Sequence, residues 1–174
     1  MHIEEIINNL SQHKNDVVDK LLANNGQHFE RYFSIRRKVL DNNIDDEFKR
    51  EFCYFYVMNG ARGLNGPQKD ALFKLLSLKQ DNLVDVLKVL YKIPGYGNRH
   101  KLFLSFGTKL IHTINNKLPI YDGNIAYVLE LPSQTYPISL EEKFKNREEI
   151  YRELKTNFNV LLADKKIEEY LKKN

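Results

Sequence analysis

An all-α fold is what these 174 residues predict. Apolar side chains recur at three- and four-residue spacing in segment after segment. No stretch shows the two-residue alternation of a half-buried strand. Candidate caps (Asp45, Asp81, Asp122, Ser139) and glycine or proline stops divide the chain at helix-length intervals. With 42% hydrophobic and 29% charged residues, the composition is that of one globular domain over residues 1–174, with ample Leu, Ile, Val, Phe and Tyr for a core. There is no internal repeat.

Residues 2–10 and 15–23 read as short amphipathic helices, the second closed by Asn24, Asn25 and Gly26. Residues 27–40 continue helically, with Phe29, Phe33 and Val39 or Leu40 at core spacing. Their other face carries Arg31, Arg36, Arg37 and Lys38, either a solvated face or a phosphate contact. Asp45 caps the next helix, which runs to Met58; residues 52–58 have no polar face and predict a buried central helix. Three glycines in residues 59–66 mark a connector, and Pro67 suits the start of a helix over 68–78. Asp81 then caps a helix with Leu83, Val86, Leu87 and Leu90 on one side. After Pro132 and Pro137, Ser139 and Glu142 form a capping-box pattern opening a polar helix to about residue 157, and a last helix spans about 160–171.

Residues 83–131 stand apart. A helix ends at Tyr91, a hairpin Ile93-Pro94-Gly95-Tyr96-Gly97 follows, and a second helix is expected from about 98 to 115. Pro94 cannot continue the first helix, and Gly95 and Gly97 permit positive φ. Their amides, followed at once by a helix N-terminus, would form an anion-binding concavity. The second helix has Leu102, Phe106, Leu110 and Ile114 as its core stripe, and Lys101, Ser105, Thr108 or Lys109, and His112 opposite. Gly107 in mid-helix predicts close approach of another helix. Between Asp85 and Asp122 there is no acidic residue, while Lys88, Lys92, Arg99, Lys101, Lys109 and Lys117 are basic. Without those six, the chain carries 21 basic against 23 acidic residues, so this stretch supplies the whole net charge of +4.

The hairpin, a helix, and then Pro119-Ile120-Tyr121-Asp122-Gly123-Asn124-Ile125 together resemble the helix-hairpin-helix superfamily of base-excision DNA glycosylases. The resemblance covers about a quarter of the chain. It implies a helical glycosylase-like fold, double-stranded DNA as partner, and phosphate contacts from Gly95, Tyr96, Gly97, Arg99 and Lys101. It gives Asp122 the role of the carboxylate that stabilises positive charge on the sugar as the base departs. Capping of the following helix explains the same position. Arg99 falls where bifunctional members carry a Schiff-base lysine; an arginine stays protonated, so the implied reaction is monofunctional, with water attacking. Tyr121 and Tyr127 could stack on an extruded base or belong to the core. Asn59 or Arg62 would fill the gap left by that base, or lie in a plain connector. The resemblance also implies a monovalent cation on hairpin carbonyls.

His100 and His112 have no partner at metal-ligand spacing, and no transition-metal site is expected. The single cysteine, Cys53, excludes an internal disulfide and reads as a small buried side chain. No segment approaches the ~20 apolar residues of a membrane span, and the first residues lack a signal-peptide pattern, so the sequence reads as cytoplasmic. Three functions compete: monofunctional excision of a damaged base, a non-catalytic DNA-binding module, and a helical protein-interaction domain.

Overall fold

Every regular element in the computed structural model is helical, and the described residues (3–13, 15, 16, 19, 26–60, 63–137 and 139–165) contain no strand. In order they are α1 (Ile3–Gln12), α2 (Gln27–Leu40), α3 (Asp46–Phe55), α4 (Gly66–Ser77), α5 (Leu83–Lys92), α6 (Leu104–Ile114), α7 (Gly123–Val128) and α8 (Leu140–Ala163). A single 3-10 turn, Tyr96–Asn98, sits between α5 and α6. The helix expected over 15–23 falls largely outside the described residues, as does the end of the one expected over 160–171.

Caps account for most helix starts. Asp45 accepts the Phe48 N–H at 2.7 Å and Ser139 that of Glu142 at 3.4 Å, as predicted. For α5 the cap is Asn82, not Asp81, because its carboxamide takes the Asp85 N–H at 3.1 Å. α4 begins with a capping box that the sequence reading missed: Asn65 accepts from Gln68 N at 3.1 Å, and Gln68 Oε1 accepts from Asn65 N at 3.2 Å. α8 is continuous through Asn157, since nothing there stops a helix.

The central helix is α6, packed against α2, α4 and α5, rather than the segment over 52–58. That segment is helical only to Phe55; Val57 turns to φ 52° and is exposed, as is Tyr54, while Phe52, Cys53, Tyr56 and Met58 are buried. Phe52 anchors an aromatic cluster, with ring centroids 5.5 Å from Phe48, 5.6 Å from Phe73 and 4.7 Å from Tyr56. Gly107 does mark a close approach. A Cβ there would lie 3.0 Å from Leu83 Cδ1 and 3.1 Å from Leu87 Cδ2, so α5 settles its leucines into the gap.

Beside the hairpin the structure departs from expectation. α6 starts at Leu104, not near residue 98, so Lys101 and Leu102 precede the helix, and its buried face is Leu104, Gly107, Thr108, Leu110, Ile111 and Thr113. The cause is local. Gly97 (φ 66°) and Asn98 (φ 55°) both adopt left-handed conformations, Arg99 is extended, and the Gly95 N–H donates to Arg99 O at 2.9 Å. The turn thus folds back on itself, and residues 99–103 run as irregular chain before the helix can begin. No helix N-terminus follows the hairpin directly, so the expected juxtaposition of hairpin amides and helix dipole is absent.

Candidate functional site

The hairpin is fixed from below by α4. Gln68 is fully buried and donates from Nε2 to Ile93 O at 2.9 Å; Asn65 donates from Nδ2 to Pro94 O at 2.9 Å. Gly95 has φ −89°, and its glycine identity answers to space: a Cβ would sit 3.2 Å from Gln68 Nε2 and 3.3 Å from Arg99 O. Gly97 is the position that requires left-handed backbone. Ile93 O and Pro94 O are thus each engaged by a carboxamide of the α4 N-terminus. Among the described residues, no three His, Cys, Asp or Glu side chains gather as metal ligands.

Tyr96, Gly97, Arg99 and Lys101 are exposed. The segment after the turn bends over the side of α8, and together they enclose a pocket of about 570 Å³. Arg99, His100, Lys101, Lys143 and Arg147 line it beside Tyr91, Phe103 and Tyr136, and no acidic side chain of the described residues does. His100 donates from Nδ1 to Tyr91 O at 2.6 Å, satisfying a carbonyl in the last turn of α5 and leaving Nε2 unbonded among the described residues.

Arg147 is the residue the sequence reading did not single out. It lies in a polar helix rich in charge, and only packing reveals its burial, with 2% of its surface exposed. Its Nη1 donates to Thr135 O at 2.8 Å and, at close range, to Asn146 Oδ1, while its guanidinium carbon lies 5.1 Å over the Tyr136 ring. Asn146 also takes the Thr135 N–H at 3.0 Å and donates to Ser133 O at 3.1 Å, so this pair ties the 133–135 loop to α8. Nε is buried without a partner, and no described carboxylate pairs with the guanidinium. Burial therefore pulls its pKa below the usual arginine range.

A series of pins from α6 and α8 holds the chain that leads to Asp122. His112 Nδ1 donates to Leu118 O at 2.7 Å, Tyr151 Oη to Pro119 O at 3.3 Å, and the Tyr121 N–H to Thr108 Oγ1 at 3.0 Å. Asp122 is thereby delivered to the start of α7, where Oδ1 takes the Asn124 N–H at 2.8 Å. The predicted cap is present, and Oδ2 accepts no hydrogen bond from a described residue. Lys109 feels the Asp122 charge. Its Nζ donates to Tyr56 O at 3.0 Å, and burial lowers its pKa, an effect that Asp122 opposes.

The two tyrosines flanking Asp122 separate in role. Tyr121 is buried, its hydroxyl accepting from Gln134 Nε2 at 2.8 Å; Tyr127 is 85% exposed. Both line an open cleft of about 700 Å³ with Tyr136, which thus forms a wall of this cleft and of the basic pocket. Asp122 borders this cleft through Tyr121 without lining it. Asn59 is exposed and accepts from Lys69 Nζ at 2.7 Å; Arg62 lies outside the described residues. No helix of the described residues is long and apolar enough to cross a membrane. Comparison with protein-family models, curated proteins and solved structures finds no match.

Proposed function

We propose that this chain binds double-stranded DNA, with the segment after the hairpin and the adjoining face of α8 as the phosphate-contacting surface. The observation that carries this reading is the pocket with Arg99, His100, Lys101, Lys143 and Arg147 in its lining and no carboxylate among them. Cations gathered without counter-charges attract a polyanion and release its condensed counterions on contact. Phosphate contacts of this kind position a duplex without reading its sequence. Binding should therefore be largely sequence-independent and weaken as salt rises. Arg99→Glu with Lys101→Glu, both exposed and away from the core, should lower duplex affinity by about 100-fold or more at low salt and flatten the salt dependence. Affinity indifferent to salt, or unchanged in that double variant, would overturn the proposal.

Monofunctional base excision is the second reading, favoured by the unengaged Oδ2 of Asp122 at the start of a helix and by the exposed ring of Tyr127 nearby. In that reaction the ionised carboxylate stabilises the cationic sugar while water attacks, and no amine forms a covalent adduct. Lesion-bearing duplexes should yield abasic sites without strand scission, and borohydride should trap no protein on DNA. Asp122→Asn can still cap α7 and should cost only about 0.5 kcal/mol of stability while eliminating excision. Excision that survives this change would leave Asp122 a cap alone.

A further inference from the structure

The Arg147 guanidinium is placed for something that the described residues do not supply. Tying the 133–135 loop to α8 uses Nη1, and a neutral amide could do the same. What remains is a cation with 2% of its surface exposed, an unpartnered Nε, and no carboxylate facing it from α8, the 99–103 segment or the 133–136 loop. Buried guanidinium groups normally have an anion beside them, because desolvation without one is costly. The pocket it lines adds Lys143, Lys101, His100 and Arg99, and offers the rings of Tyr91, Phe103 and Tyr136 as apolar wall.

Depth decides which anion. A phosphodiester within a continuous strand has chain leaving in both directions, so it meets surface cations such as Arg99 and Lys101. A group that reaches Arg147 must end there. A terminal phosphate carries close to two negative charges and three acceptor oxygens, which matches a guanidinium edge with neighbouring ammonium groups. The volume, about 570 Å³, has room for the attached nucleoside against the tyrosines. We propose that this pocket binds the phosphomonoester of a nucleotide, with Arg147 as its innermost contact and Lys143 and Lys101 at its rim. For the terminal nucleotide of a DNA strand, the inference rests on the duplex-binding reading above. A free mononucleotide offers the same chemistry.

The test compares one duplex with 5′-phosphate, 3′-phosphate or hydroxyl ends by fluorescence anisotropy, alongside thermal shifts with deoxyadenosine monophosphate and deoxyadenosine. A phosphorylated end should bind about tenfold tighter or more than a hydroxyl end, and the monophosphate but not the nucleoside should raise the Tm. Arg147→Met should remove both effects. Lys143→Glu, at a half-buried position in the lining, should weaken both where the first variant folds poorly. Equal affinity for all three ends together with no Tm shift from the monophosphate would overturn the proposal, and salt-dependent binding of the hydroxyl-ended duplex would then leave the DNA reading intact. Stabilisation by the monophosphate with no binding to any duplex would support the pocket while overturning the DNA reading.

Discussion

The basic pocket and the Asp122 junction handle buried polar groups in opposite ways. Among Tyr56, Thr113, Lys109 and His112, on the elements that support the Asp122 segment, the donors and acceptors close on one another. Tyr56 Oη donates to Thr113 Oγ1 at 3.0 Å, which donates to Lys109 O at 2.7 Å; Lys109 Nζ returns to Tyr56 O; Tyr32 Oη meets His112 Nε2 at 2.9 Å. Arg36 Nε is the exception, on a side chain only partly buried. In the pocket, Arg147 is almost wholly buried and only Nη1 is engaged. A closed network supports its own fold and positions whatever it holds, here the Pro119–Asp122 segment. An open one stores a desolvation cost that a ligand can relieve.

Mutations in the two regions should accordingly have opposite signatures. Thr113→Val removes the acceptor for Tyr56 Oη, which is 4% exposed, and should cost about 1–3 kcal/mol, visible as a Tm lower by several degrees, about 2–4 °C per kcal/mol. Duplex affinity should not change. A large loss of affinity at unaltered stability would make the Asp122 side part of the binding surface.

Arg147→Met should go the other way. It forfeits the bonds to Thr135 O and Asn146 Oδ1 but releases a buried, unneutralised cation into an apolar equivalent. Net stability without ligand should be unchanged or higher by about 1 kcal/mol, while phosphate-dependent stabilisation disappears. Destabilisation as large as that of Thr113→Val would mean that Arg147 serves mainly to fasten the loop.

How legible the molecule is from its sequence follows the same division. Helix class, the Asp45, Asp122 and Ser139 caps, the buried Cys53 and the approach at Gly107 are local or periodic properties, and the chain spells them out. The hairpin residues were legible as a turn. The start of α6 was not, because Asn98 at positive φ and the Gly95–Arg99 bond are decided by closure of the turn, to which helical periodicity is blind. The cations of the 88–117 stretch were legible as charge. Arg147 and Lys143 sit far along the chain in a helix whose pattern reads as solvated, and only the return of α8 against residues 99–103 brings them to the pocket.

The smallest effect expected is also the most selective test of the closed network. His112 donates from Nδ1 to Leu118 O, so its Nε2 must remain unprotonated to accept from Tyr32 Oη. Burial depresses its pKa below the ordinary imidazole value of 6.5; the nearby Arg36 charge acts in the same direction and the Leu118 bond opposes both. Below 6.5 the unfolded chain takes up a proton that the folded one resists, so the unfolded state binds more protons and folding stability falls. The neutral ring's contribution is fully present above the unfolded pKa and is lost as pH falls through the folded value. In a His112→Gln variant the carboxamide can donate to Leu118 O and accept from Tyr32 without titrating. Between about pH 7 and pH 5.5, where carboxylates remain ionised, the wild-type Tm should decline more steeply than that of the variant. Parallel Tm profiles would show that His112 gains its proton without breaking the bond to Tyr32, and the junction would then be looser than its geometry implies.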